Sequence, residues 1–322
     1  MDYQFGHHLD IAGMLEKLPA ERVFLLTDQN LDWHYPQFLQ GLSKKLYKHV
    51  IDAGEQSKNF VQMERILLAL SQQGFGRGDL LLSFGGGVVG DLGGLCAGLY
   101  MRGMEHIIVP TSIIAMADSA IGGKTAINFN GIKNNIGLFY EPAMVLVDTA
   151  FLKTLPPAQR RSGLGELLKI TLLSGRTDLL SGDIAALIEH AAAYKMALVA
   201  RDPYDRGERH LLNLGHSLGH VIEMTQGIPH GEAVAMGLDF ISRFSDRRGI
   251  SSGLHGRVRG LLMQCGLPNL DGVPLDAAML QKLYGDKKSR GGGRIRLALL
   301  ADIGKPLTQE FDIQEVIKET LC

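Results

Sequence analysis

The hydrophobic and polar positions change rhythm about halfway along the chain. In the first half, short runs of aliphatic and β-branched residues recur at 22–28 (RVFLLTD), 48–53 (KHVIDA), 79–87 (DLLLSFGGG), 106–112 (HIIVPTS) and 143–148 (AMVLVD). Between the second and third, NFVQMERILLALSQQG (59–74) places its apolar residues at helical spacing. Apolar side chains on consecutive positions predict strands buried on both faces. Strands that alternate with helices predict a parallel sheet with right-handed crossovers, whose ligands lie beyond the carboxyl ends of the strands.

The rhythm breaks near Leu155-Pro156-Pro157. Beyond it, 162–173, 183–200, 209–225 and 231–249 all read as helices, and strand-like sequence returns only at 293–304 (GRIRLALLADIG). The expected fold class is α/β. An N-terminal Rossmann-like nucleotide-binding domain would span 1–154 and a C-terminal, mainly α-helical metal- and substrate-binding domain 155–322. A cleft between them is the expected pocket.

Composition narrows the class. At 322 residues the chain exceeds the ~250–300 residues at which a single core stops growing. With 45% apolar and 21% charged residues it is an ordered globular protein, and a net charge of −1 gives no broad surface for nucleic acid or acidic membrane. Cys96, Cys265 and Cys322 are far apart, the pattern of a reduced intracellular set. The first residues, MDYQFGHHLDIAGML, lack a basic segment followed by an apolar one, and no apolar run approaches the ~20 residues of a membrane span. The expectation is a cytoplasmic protein with no nucleic-acid and no membrane partner.

Three groups of residues carry chemistry. Gly85-Gly86-Gly87-Val88-Val89-Gly90-Asp91 follows a buried strand and opens a helix, where glycines let backbone N–H groups approach a pyrophosphate. A tight strand-to-helix turn would need the same glycines. Asp28 ends the first strand, where a carboxylate can take ribose hydroxyls or cap a helix, and Glu55 and Lys58 follow the second. In the second half, His216 and His220 are four apart and share a helix face, His230 follows, and Glu166 sits in an apolar helical stretch. A carboxylate with imidazoles suits Zn²⁺ or a related divalent ion. HSLGH lacks the glutamate of a zincin, and an isolated histidine pair is as often a satisfied surface or core feature. Glycines beside both histidines cost helix stability, which close approach by a ligand or another helix would explain.

The third group is cationic: Lys124 after Gly122-Gly123, Lys133-Asn134, Lys169 one helical step from Glu166, Lys195, Arg209 and the pair Lys287-Lys288. Glycine-rich or apolar settings for so many cations point to a polyanionic, polyhydroxylated small molecule.

Taken in order, GGGVVGD, YMRG, PTS, DSAIGGKTAIN, KNNIG, LKTLP, GELLK, RHLLNLGHSLGHVIE, HGEAV and DKK, with TDQN and GEQSK upstream, resemble the dehydroquinate synthase family of sugar-phosphate cyclases. The resemblance implies a metal (Zn²⁺ or Co²⁺) on Glu166, His216 and His230. It implies NAD contacts at Asp28, Glu55, Lys58, Gly86, Gly87, Val88, Asp91, Thr111, Ser112, Lys124, Lys133 and Thr154. It implies a substrate shell of Asp118, Lys124, Lys133, Asn134, Lys169, Lys195, Arg209, Asn213, His220 and Lys287 or its neighbour. Arg102 would reach a neighbouring subunit's site, implying a homodimer. The family reaction converts 3-deoxy-arabino-heptulosonate 7-phosphate to 3-dehydroquinate and phosphate. In it a hydride leaves carbon 5 for NAD⁺, phosphate is eliminated, the hydride returns, and an intramolecular aldol closes the ring. Asp205, Ser112, Leu214 and Ile170 replace the usual Glu, Thr, Phe and Tyr, and the segment from Glu166 to Lys195 is short for the family. Another sugar-phosphate cyclase, such as a 2-deoxy-scyllo-inosose synthase, shares the same frame, and Arg209, a partner for a substrate carboxylate, separates the two. A metal- and NAD-linked polyol dehydrogenase would have no use for the phosphate cations.

Overall fold

The computed structural model describes residues 1–281, 289–290 and 293–321. Contacts divide the chain into two compact units, Met1–Leu155 and Pro156–Cys322.

The first unit has strands β1 (Asp2–Gly6), β2 (Arg22–Asp28), β3 (Lys45–Ile51), β4 (Leu80–Gly85), β5 (Glu105–Pro110), β6 (Lys124–Phe129), β7 (Ile132–Phe139) and β8 (Met144–Asp148). Its helices are α1 (Ile11–Glu16), α2 (Gln29–His34), α3 (Phe60–Gln72) and α4 (Gly87–Leu99). Six strands form one sheet in the order β1-β8-β5-β4-β2-β3, every neighbouring pair parallel. Burial on both faces explains the unbroken apolar runs: each residue of β4 is buried. One core packs Phe24, Leu26 and Leu81 of the sheet against Ile66 and Leu70 of α3 and Leu92 and Leu95 of α4. Each such side chain contributes about 1.5–3 kcal/mol.

Two elements here were not legible. β1 is an edge strand paired only with β8, and DYQFG carries too few apolar residues to read as a strand. The glycine-and-lysine stretch after Asp118 is not all loop, because β6 and β7 form an antiparallel hairpin beyond the main sheet. Gly94 of α4 lets this hairpin seat closely, since a Cβ there would stand 2.4 Å from the Thr125 methyl.

The chain leaves β2 for β3 on one side and returns to β4 on the other, so the strand order reverses between β2 and β4. Thr27 pairs with Phe84, which sets Asp28 and Gly85 side by side at the carboxyl edge. That is the crevice in which open parallel sheets bind ligands.

The second unit contains α5 (Pro157–Ser174), α6 (Ile184–Arg201), α7 (His216–Gln226), α8 (His230–Arg247), α9 (Leu254–Gln264), α10 (Ala277–Gln281) and α11 (Ile313–Leu321). A sheet of β9 (Ser289–Arg290), β10 (Arg294–Asp302) and β11 (Lys305–Asp312) accompanies them. β11 corrects the expectation that strand returns only at 293–304. Its Pro306 and outward polar residues hide the alternation. Nor is 209–225 one helix. Glu208–Asn213 is a 3₁₀ turn, and α7 starts only after Gly215, whose φ of 76° is left-handed. Among the described residues no helix is long and apolar enough to cross a membrane.

Helix α8 is the spine of this unit, and it touches its neighbours through backbone. A Cβ on Gly231 would lie 1.7 Å from the carbonyl oxygen of Ser162, and one on Gly165 2.0 Å from that of Gly231. A Cβ on Gly237 would meet the Gly215 carbonyl at 1.9 Å, and one on Gly219 the Ala233 carbonyl at 3.0 Å. The glycines beside the histidines therefore serve the approach of another helix.

Candidate active site

Those contacts converge three side chains. Glu166 projects from α5, His216 is the first residue of α7 and His230 the first of α8. His230 Nε2 lies 3.0 Å and His216 Nε2 3.3 Å from Glu166 Oε1, and one ligand atom from each residue lies within 4.8 Å of the others. Glu166 and His216 are buried.

The far ring nitrogens decide what this cluster can hold. His216 Nδ1 lies 3.1 Å from the Leu214 carbonyl oxygen and His230 Nδ1 3.0 Å from Glu223 Oε2. Both partners are acceptors, so each Nδ1 carries the proton and each Nε2 is left to face Glu166. Two imidazoles and one carboxylate aimed at a common point, with the outer nitrogens fixed, become the donor set of a divalent-metal site with open positions once His230 Nε2 gives up its proton. The chain fits the ion its resemblance implies.

Electrostatics agree. Burial would raise Glu166, but the Lys169 ammonium 2.5 Å from Oε2 and the His216 ring outweigh it and hold the carboxyl well below its usual range. Burial lowers His216 below its ordinary value against the pull of Glu166, keeping it neutral, as a ligand must be. For His230 burial also pulls down, but hydrogen bonds to Glu166 and Glu223 prevail and raise it to about 10. Without metal it is an imidazolium between two carboxylates, and a cation must displace its proton.

Of the other residues expected in this unit, His220 stands one turn on from His216 with ring centres 5.2 Å apart, and 5.8 Å from the His230 ring. Lys169, Lys195 and Arg209 are buried, Arg209 at 2% exposure, with its guanidinium donating to the Pro203 carbonyl. Asn213 donates to His210 Nδ1. Lys287 and Lys288 lie outside the described residues. Glu223 was missed as a functional candidate. The available signal was its spacing, three residues after His220 and seven after His216, on the same helix face.

In the first unit Gly86 caps α4 and Gly87 opens it, with Val88 in its first turn and Asp91 just beyond. The N–H of Thr111 donates to the Gly85 carbonyl, which brings the end of β5, including Ser112, to this loop. Asp28 does cap α2, accepting from the N–H groups of Asn30 and Leu31. Both bonds end on Oδ1, so Oδ2 is not used by the cap. Burial raises the Asp28 carboxyl, and those two N–H groups oppose the rise. Lys58, buried, forms an ion pair with Asp91 and donates to Asn134 Oδ1 at 2.5 Å. Glu55 accepts from Asn128 Nδ2. Lys124 and Lys133 are exposed on the hairpin and Asp118 is half-buried before it. The Thr154 hydroxyl meets Tyr35 Oη at 3.0 Å. Arg102 is exposed on a turn where both it (φ 65°) and Met101 (φ 48°) are left-handed. A glycine-capped helix start and a spare carboxylate oxygen at the reversal of strand order, with the buried Lys58 paired to Asp91 of that helix, fit a dinucleotide.

Comparison with known proteins places the same features in a family. Residues 48–162 match the family described as 3-dehydroquinate synthase N-terminal, and residues 163–289 the one described as 3-dehydroquinate synthase C-terminal. The 3-dehydroquinate synthase of Acinetobacter baylyi is 36% identical, over 96% of this chain and 91% of its own length. Among solved structures, 2-epi-5-epi-valiolone synthase from Streptomyces hygroscopicus subsp. jinggangensis 5008, with NAD⁺ and Zn²⁺ bound, superposes with a TM-score of 0.86 at 26% identity, covering 100% of this chain and 96% of that one. A 2-deoxy-scyllo-inosose synthase complexed with carbaglucose-6-phosphate, NAD⁺ and Co²⁺ gives 0.84 at 25% identity, covering 98% and 96%. Matching over most of its length in sequence and in fold, the chain belongs to the 3-dehydroquinate synthase family.

Proposed function

We propose that the chain is an NAD- and metal-dependent phosphorus–oxygen lyase that converts 3-deoxy-arabino-heptulosonate 7-phosphate to 3-dehydroquinate and phosphate. The observation that carries the reading is the pairing, in one unit, of a ready divalent-metal donor set with three buried cations, Lys169, Lys195 and Arg209. Lys169 already pairs with Glu166, and a phosphorylated sugar acid would bring further anionic groups suited to a unit so rich in buried cations.

Glu166, His216 and His230 would hold the cation, with Glu223 and the Leu214 carbonyl fixing the rings. The glycine loop, Asp28, Glu55 and Lys58 would hold NAD, with Val88, Asp91, Thr111, Ser112 and Thr154 around it. When bound, the cation acidifies the substrate hydroxyls it touches, and NAD⁺ accepts one hydride and gives it back. The protein's own groups do the rest. Lys124, Lys133 and Asn134 would steady the phosphate as it leaves, and Arg209 and Lys195 would grip the carboxylate. His220 and Asp118 would move protons at the reacting carbons. Arg102 is assigned to the site of a second copy in a homodimer, with Lys287 in the phosphate shell.

The test is incubation with NAD⁺, Zn²⁺ or Co²⁺ and the heptulosonate phosphate. Phosphate and 3-dehydroquinate should appear together without net NADH. Phosphate released only from glucose 6-phosphate would move the chain to the inosose branch, and steady NADH from a polyol would make it a dehydrogenase.

A further inference from the structure

The β6–β7 ladder contains an irregularity that the sequence did not show. Ile127 pairs with Ile136, and the next pair is Phe129 with Ile132, so the single residue Asn128 stands opposite Lys133, Asn134 and Asn135. The bulge lifts Lys133 and Asn134 out of the ladder, with Asn134 in the left-handed region at φ 53°. Asn128 supplies the bond that the ladder drops: its Oδ1 accepts the backbone N–H of Asn134 at 2.9 Å. Its Nδ2 donates to Glu55 Oε1 at 2.8 Å, and its backbone N–H to the Lys58 carbonyl at 2.8 Å. Lys58 Nζ closes the circuit on Asn134 Oδ1. The orientation of the amide is settled by its partners, because a flip would set NH₂ against N–H and oxygen against carboxylate.

We propose that Asn128 is a positioning residue that ties the nucleotide-side carboxylate Glu55 to the anion-facing Lys133–Asn134 bulge, so that one side chain sets both. This rests on the reading of the first unit as nucleotide-binding and adds to it a residue that touches neither ligand. The amide uses its two ends for two tasks. Its donor orients Glu55, and its acceptor holds Asn134 in a backbone conformation that non-glycine residues adopt at a cost.

The two ends are separable by substitution. In Asn128→Ala, the NAD⁺ dissociation constant measured by calorimetry on the full chain should rise about fivefold to tenfold, the worth of one ordinary hydrogen bond, since Asn128 acts only through Glu55. In a Glu55→Ala background the same change should leave NAD⁺ affinity unaltered. Asn128→Asp keeps the acceptor, so KM for the heptulosonate phosphate at saturating NAD⁺ should stay within about twofold of the parent, whereas Asn128→Ala raises it. An equal loss of NAD⁺ affinity in both Glu55 backgrounds would overturn the role, as would an equal rise in KM for Asp and Ala. Absence of NAD⁺ binding by the unmodified chain would remove the nucleotide reading and this role together.

Discussion

His216 and His230 each offer two ring nitrogens, and the partners of the outer pair decide how the inner pair points. For His230 that partner is Glu223, so a neutral glutamine should still accept the Nδ1 proton but without the charge that makes the ring a better donor. We predict that Glu223→Gln lowers Zn²⁺ affinity about tenfold to a hundredfold, read by competition with a chelator, while the circular dichroism of the chain is unchanged. Unaltered affinity would show that Glu223 does not act on the metal site. A second residue-scale expectation concerns His106, wholly buried in the first unit with Nε2 2.9 Å from Ser83 Oγ. Burial lowers its pKa to about 3. Above about pH 6.5 neither the folded nor the unfolded ring is protonated, so the group is neutral towards stability there. Below that value only the unfolded state takes the proton, and stability falls by about 1.4 kcal/mol per pH unit towards pH 3. His106→Asn should flatten that part of the acid profile in urea titrations between pH 6.5 and 5; an unchanged slope would contradict it. The carboxylate in an apolar helix and the histidines were conspicuous in the sequence, but spacing singled out His216 with His220, and it was the family resemblance that set His230 beside Glu166 and His216. Glu223 and Asn128 were not legible, because a partner's role exists only once the group it serves has a position.

Helices α5, α7 and α8 assemble the donor set only because their backbones meet, and glycine is what lets them. Gly231→Ala would drive a methyl to 1.7 Å from the Ser162 carbonyl oxygen, so α5 and α8 must separate at the level of Glu166 and His230. The expected result is a loss of at least about 1–3 kcal/mol of stability together with loss of bound metal, measured by thermal unfolding and metal analysis of the same sample. A variant that unfolds earlier yet keeps its full metal content would show that the helix contact does not set the ligands. At this scale the parallel strands read well, since burial on both faces leaves a signal in every residue of β4. The hairpin β6–β7 and strand β11 did not. Their strands face outward on one side, and a bulge or a proline interrupts the alternation that would mark them.

For the molecule as a whole, the parallel sheet followed by a mainly helical half was readable from the change of rhythm near Leu155, whereas assembly was not, since one chain's sequence holds no image of its neighbour. The exposed, left-handed Arg102 supplies a test of the assigned homodimer. Inactive Arg102→Ala and His216→Ala chains, unfolded and refolded together, should regain about a quarter of the parent activity, because half the dimers then carry one complete site. No recovery would return Arg102 to a surface role. The central claim is that one hydride is taken from the substrate and returned to it within a single turnover. The most direct measurement uses heptulosonate phosphate carrying deuterium on carbon 5, with Zn²⁺ and excess unlabelled NAD⁺, and mass spectrometry of the products. Full retention of deuterium in the dehydroquinate, with none in free nicotinamide, is the predicted result. Deuterium in released NADH, or its loss to water, would contradict the account.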